Sequence, residues 1–219
     1  GSRFLRGYIL PGGVTSLPQS AEITQMLNTL KDLRHNIEPL LEMIQSNYGA
    51  IARMEGIGVV KKSLAAEFGI VGVACRASGI DYDTRRYFTQ GVFPRESLPA
   101  MVESGGDILS RTNVRIRELL GSMSIIQRLL GELKGAESLI DLPSKLPANK
   151  QATGIVESFR GELIHLCFTD EFGKINRYVI KDASFNNWTA ISIAVRNQLI
   201  ADFPLCNKSL GLSYGGHDL

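Results

Sequence analysis

Thr153-Gly154-Ile155-Val156-Glu157-Ser158-Phe159-Arg160-Gly161-Glu162 marks the point where the hydrophobic pattern of the chain changes. Before it, apolar residues recur every three or four positions; from it onward they recur every two, as strands require. The pattern predicts strands over 153–159, 162–169 and 176–181. Asp170-Glu171-Phe172-Gly173-Lys174 supplies the hairpin turn between the second and third. Ser184 or Asn186 then stands as a cap for a helix over 188–200. Asp202-Phe203-Pro204 ends that helix, and a polar, Gly-rich tail, Leu210 to Leu219, follows.

Upstream the period is helical. Ile23, Met26, Leu27, Leu30, Leu33, Ile37, Leu40, Leu41 and Ile44 predict an amphipathic helix over 20–48, with Pro39 as a kink or break. The longest periodic stretch is 97–133, interrupted near its start by Gly105-Gly106. Arg111, Arg115, Arg117 and Arg128 read as solvated charges on its other faces. A short helix over 61–67 is ended by Gly69, and Pro11-Gly12-Gly13 turns the chain after a short apolar start. The fold class is therefore α+β: mainly helical, with long core helices and a small antiparallel sheet near the C-terminus. Residues 135–151, with Pro143 and Pro147, read as a linker, dividing a helical region, 1–150, from a sheet-helix-tail region, 151–219.

Of 219 residues, 44% are hydrophobic and 21% charged, enough for a substantial core. A net charge of +2 gives no electrostatic footprint for nucleic acid, so polynucleotide partners are discounted. The longest apolar runs fall far short of the roughly 20 residues that span a bilayer, no signal peptide is recognisable, and a soluble chain is expected. Three scattered cysteines, Cys75, Cys167 and Cys206, offer neither a disulfide framework nor a metal knuckle and suit a reducing compartment. Residues 76–86, with Arg76, Asp81, Asp83, Arg85 and Arg86, show no period. They read either as a solvated loop with internal ion pairs or as a docking surface.

Several blocks occur in a recognisable order: Gly1-Ser2-Arg3-Phe4 with Pro11-Gly12-Gly13-Val14; Gly56-Ile57-Gly58-Val59; Arg76-Ala77-Ser78-Gly79-Ile80-Asp81-Tyr82-Asp83; Val114-Arg115-Ile116-Arg117-Glu118; Glu157-Ser158-Phe159-Arg160-Gly161-Glu162; and Ser184-Phe185-Asn186-Asn187-Trp188. Together they resemble the C-terminal part of two related proteins. These are the forty-nine-kilodalton subunit of respiratory complex I and the large subunit of membrane-bound [NiFe] hydrogenases of the formate hydrogenlyase type. The resemblance implies a [NiFe]-hydrogenase large-subunit-like fold and a piece of a larger subunit.

In the hydrogenases a C-terminal cysteine pair holds nickel and iron; here the matching positions carry Ser213 and Gly216. A hydroxyl and a bare glycine cannot replace two soft ligands, so a Ni-Fe centre is not expected. Cys206 reads as a packed thiol. Arg160 matches the arginine that hangs above the metal pair, and here it either forms the positive wall of a cavity or, the favoured reading, holds the tail by hydrogen bonds. On a regular strand Glu162 would share its face, followed by His165 as a structural residue. Leu5 stands where complex I has a histidine, which leans toward the hydrogenase branch, and His217 reads as an exposed terminal residue.

The expected function is that of a redox scaffold in a complex-I-like or energy-converting-hydrogenase-related membrane oxidoreductase. It has no catalytic or metal-ligating residue of its own and is expected to be inactive alone. The implied partners are a small subunit carrying a [4Fe-4S] cluster, for which residues 76–86 are the candidate interface, and membrane-embedded subunits. The implied location is cytoplasmic, peripheral on the inner face of the membrane. The alternatives are a quinone-reducing, NADH-dehydrogenase-type catalytic subunit, and a [NiFe] hydrogenase large subunit, disfavoured by the missing cysteines.

Overall fold

Asp107 starts the longest core helix by accepting a hydrogen bond from the Ser110 backbone N–H at 2.8 Å. The structure, a computed structural model, describes residues 5–88, 101–133 and 137–217. In chain order its elements are β1 (Ile9–Leu10), β2 (Gly13–Val14), α1 (Ser20–Ser46), α2 (Tyr48–Ala52), α3 (Lys62–Glu67), α4 (Gly72–Ala77), α5 (Thr84–Tyr87), α6 (Ile108–Glu132), β3 (Gln151–Ser158), β4 (Gly161–Thr169), β5 (Ile175–Lys181), α7 (Ala183–Ala194), α8 (Phe203–Leu210) and α9 (Tyr214–His217). The α+β class with a small antiparallel sheet stands.

Helices α1 and α6 run antiparallel: Arg34 reaches Ser124 at 3.4 Å, and Gln45, further along α1, reaches Asn113, further back on α6, at 3.5 Å. Pro39 does not break α1. It removes a donor to the His35 carbonyl, but both residues are exposed, so water can take that acceptor. The helix expected from 97 begins at Ile108, because Asp107 caps it behind Gly106, whose φ is 67°. Residues 97–100 lie outside the described residues, as do the first four residues of the chain, 135 and 136 of the linker, and 218–219.

The main apolar cluster joins Val60, Ala65, Ile70 and Ala74 to Ala190, Ile191 and Ala194 of α7 and to Leu210 and Leu212. Two expectations are corrected here. Helix α7 starts at Ala183 rather than 188, because Asp182 accepts from the Ser184 N–H at 2.8 Å and out-competes the later caps. The tail is not a polar extension: Pro204 sits in the first turn of α8, and Leu210 and Leu212 are buried, so burial decides where the Gly-rich composition misled. The described part of the linker is also ordered against neighbours, with the Val14 N–H donating to Ser138 O at 2.7 Å and the Ile140 N–H to Gly12 O at 3.1 Å.

The sheet has the order β3-β4-β5, and its register pairs Glu157 with Glu162 and Ser158 with Gly161. That leaves Phe159-Arg160 as a two-residue turn. Gly161 has a φ of 129°, and Gly72, at the start of α4, has 67°. A Cβ on Gly72 would lie 2.1 Å from Arg160 O, and one on Gly161 would lie 2.7 Å from Gly72 N. Only two glycines allow this turn to rest on the α4 backbone.

Candidate functional site

Arg76 projects from α4 into the protein and is 3% exposed. Its Nε donates to Glu118 of α6 at 2.6 Å and its Nη1 to Glu157 of β3 at 2.8 Å and to Tyr82 O at 2.9 Å. Glu157 in turn accepts from the N–H and hydroxyl of Thr84 at 3.1 and 3.0 Å. Burial works against the Arg76 charge, but Glu118 and Glu157 outweigh it and hold its pKa above the ordinary arginine value. One side chain thus ties three elements together, and removing either carboxylate would leave the buried charge short of one of its partners.

The residues that follow are paired among themselves. Asp83 holds Arg85 with two bonds, 2.9 Å to Nε and 2.6 Å to Nη2, while Asp81 pairs with Arg86. Burial would raise the Asp83 pKa, but the hydrogen bond and charge of Arg85, then Arg76, bring it below the usual carboxylate range. Tyr82 donates its hydroxyl to Glu162. The expected loop over 76–86 is therefore corrected at both ends: Arg76 is helical and buried, Asp83 is buried and caps α5, and Arg85 and Arg86 lie on α5. Arg76 and Asp83 hold the fold together; Asp81 is exposed, and Arg85 and Arg86 are half-buried.

The Arg160 turn and the C-terminal segment do come together. Arg160 Nε donates to Gly211 O at 2.6 Å, and the Asn187 amide bridges Val71 (O, 3.1 Å; N, 2.9 Å) to Arg160 O at 3.3 Å. The shared face expected for Arg160 and Glu162 is corrected, since Arg160 lies in the turn rather than on a strand and Glu162 is engaged by Tyr82. Arg115 reaches the same segment from α6, its Nη2 donating to Ser209 O at 2.9 Å and Leu210 O at 3.1 Å. Two arginines thus meet the C-terminal carbonyls of α8, where the helix dipole favours cations.

Arg111 and Arg115 are not the solvated charges expected. Arg111 is 1% exposed, bonding Gly106 O at 2.8 Å, Gly58 O at 3.0 Å and Ser209 Oγ at 2.9 Å; burial pushes its pKa down to about 10. Glu118, Glu157 and Asn187 also went unassigned by sequence reasoning. For the two arginines a signal existed: Arg111 and Arg115 follow the buried Ile108 at the three-and-four spacing of one helix face.

Ser213 and Gly216 do not fit a soft-metal site. Ser213 Oγ accepts from the Gly216 N–H at 3.0 Å, and a Cβ on Gly216 would lie 2.8 Å from Asp182 Cγ, leaving no room for a thiolate. Cys206 is fully buried, as a packed thiol should be, and burial raises its pKa. Among the described residues no group of three or more His, Cys, Asp or Glu side chains is arranged to hold a metal ion. His165 bonds the Tyr178 hydroxyl at 2.7 Å on the exposed sheet. The side chain of His217 lies outside the described residues.

Comparison with known proteins identifies the family. The chain is 28% identical over 221 residues to formate hydrogenlyase subunit 5 of Escherichia coli (strain K12), covering all of this chain and 38% of that protein. It is 30% identical over 204 residues to an NADH-quinone oxidoreductase subunit of Syntrophobacter fumaroxidans, covering 92% of this chain and 55% of that one. A subunit of the membrane-bound sulfane sulfur reductase, an archaeal respiratory membrane complex, superposes with a TM-score of 0.87 at 27% identity, over 97% of this chain and 59% of its own. The chain thus spans less than two thirds of the length of these relatives. The family model of the respiratory-chain NADH dehydrogenase 49 Kd subunit matches residues 1–153, and the chain belongs to that family.

Proposed function

We propose that the chain forms part of the large subunit of a complex-I-like or energy-converting-hydrogenase-related membrane oxidoreductase. It acts there as a rigid scaffold beside an iron-sulfur subunit rather than as a hydrogen-activating centre. The observation that carries this reading is the tail, where the resemblance places the metal ligands: the Ser213 hydroxyl is already engaged by the Gly216 N–H. Arg160, kept at its place, serves Gly211 O instead of a metal. The neighbouring [4Fe-4S] cluster would sit in the partner subunit, with quinone the candidate acceptor of the whole assembly. Relatives named NADH-quinone oxidoreductase support that acceptor.

Among the described residues no helix is long and apolar enough to cross a membrane. Attachment at the cytoplasmic face would therefore run through membrane-embedded partner subunits. Exposed Asp81, with half-buried Arg85 and Arg86, is what remains of the candidate interface. Capture of the iron-sulfur subunit by the full-length protein, abolished on replacing Arg85 and Arg86 by Glu, is the expected result. Undiminished capture by that variant would overturn the interface.

A further inference from the structure

Strands β3 and β5 form the two edges of the sheet, since among the described residues each pairs with β4 alone. The β5 edge is guarded. A register shift beside Phe168 and Thr169 leaves Asn176 as a bulge, and Arg177 and Lys181 put charge along the strand. The β3 edge has no such guard. Gln151-Ala152-Thr153-Gly154-Ile155-Val156 carries no charge, no proline and no register shift, and all of it is exposed except half-buried Ile155.

The hairpin fixes which backbone groups of β3 are free. Its two-residue turn makes Ser158 and Gly161 face each other, so the even-numbered residues of β3 turn their N–H and C=O toward β4. The Thr169 N–H accordingly donates to Lys150 O at 2.9 Å. Gln151, Thr153 and Ile155 therefore point theirs outward, a row of donors and acceptors open to another strand. At one end the row stops at Glu157, where the Thr84 N–H docks α5; at the other, Asn149, with a φ of 51°, turns the chain aside.

We propose that a second copy of this chain occupies the edge. The two β3 strands pair antiparallel about a two-fold axis at Thr153 and merge the two sheets into one. Self-complementarity argues for this occupant. Pairing about Thr153 sets outward-facing residues against outward-facing ones, Gln151 against Ile155 and Thr153 against itself, as an antiparallel ladder requires. No like charges meet along the uncharged run, and threonine opposite threonine is a favourable cross-strand pair. The pairing does not rest on the redox reading above.

So short a contact makes a weak dimer, with a Kd between roughly 1 μM and 1 mM. Sedimentation equilibrium of the full chain over that range is expected to show monomer and dimer in exchange. Amide hydrogen exchange is expected to slow at Gln151, Thr153 and Ile155 as concentration rises. Thr153→Lys sets two ammonium groups against each other on the axis and is expected to weaken the dimer at least about ten-fold. Asn176→Lys, on the guarded edge, is expected to leave it unchanged. Should Thr153→Lys fail to fold, the wild-type exchange pattern decides. A chain that stays monomeric to about 1 mM would overturn the proposal and leave the edge to an unlike strand. A dimer undiminished by Thr153→Lys, or one that leaves those three amides unprotected, would overturn it by placing the contact elsewhere.

Discussion

Arg160 and Gly211 are joined by a 2.6 Å hydrogen bond from the arginine Nε to the glycine carbonyl, which fastens the hairpin turn of the sheet to the end of α8. The turn also rests on α4 and is held by Asn187 of α7, so this single contact closes a ring of four elements. Its backbone partner makes Arg160 a structural clamp.

Replacing Arg160 by Met keeps an apolar stem against Phe159 but leaves the Gly211 carbonyl without this donor. A loss of about 1.5–2 kcal/mol is expected, the lower part of the range for hydrogen bonds to charged groups because the side chain is only half-buried. Urea denaturation measures it. Arg160→Lys should recover part of the loss, since an ammonium cannot reproduce the planar Nε geometry.

Gly72→Ala should cost roughly 3 kcal/mol or more, because its Cβ would meet the Arg160 carbonyl oxygen at 2.1 Å and its φ is 67°. Gly131→Ala, in α6 with nothing within 4 Å of the added atom, should instead stabilise by about 0.5–1 kcal/mol. Thermal unfolding of the two variants side by side checks the pair. Equal effects would contradict the backbone approach described here.

Much of this architecture is legible in the sequence. The three predicted strands lie within two residues of their observed ends, because turn residues, Phe159-Arg160 and Asp170 to Lys174, bound the apolar and β-branched runs. The helix period likewise locates α1 and α6, but not the start of α6, which Asp107 and Gly106 set through backbone geometry that hydrophobicity does not encode. Helix α8 escapes the pattern because its short apolar face, Cys206 and Leu210, lies among polar residues. The candidate site is legible as Arg160, Ser213 and Gly216 only through resemblance. Arg76, Glu118 and Glu157 are 39 to 81 residues apart in the chain, and no local pattern predicts that one buried guanidinium collects both carboxylates.

Stability should fall in acid through Asp83. Its folded pKa lies below the ordinary value of 3.8, so the unfolded chain binds the proton first as pH drops. The contribution is fully present above the unfolded value and is lost as pH falls through the folded pKa, that is, below about pH 4. Asp83→Asn is expected to be less stable than wild type at pH 7, with the gap narrowing below about pH 4. Asp107, also depressed despite its burial because Ser110 and Gly56 donate to it, should leave some acid sensitivity in the variant. Chemical denaturation at pH 7, 5 and 3 reads the gap directly.

The thiols should divide by reactivity. Burial pushes Cys75 up to about 12, so at pH 8 roughly one part in ten thousand is thiolate. Cys206 is buried and raised as well, whereas Cys167 is only half-buried. Iodoacetamide at pH 8 is expected to label Cys167 alone in the folded protein and all three after denaturation, as mass spectrometry would show.

The scaffold reading is tested most directly by the metal content of the intact membrane complex containing the full-length subunit. Iron with acid-labile sulfide, contributed by the partner subunit, and no stoichiometric nickel is the result expected from Ser213, Gly216 and the Arg160 clamp. Nickel at one atom per large subunit would contradict it.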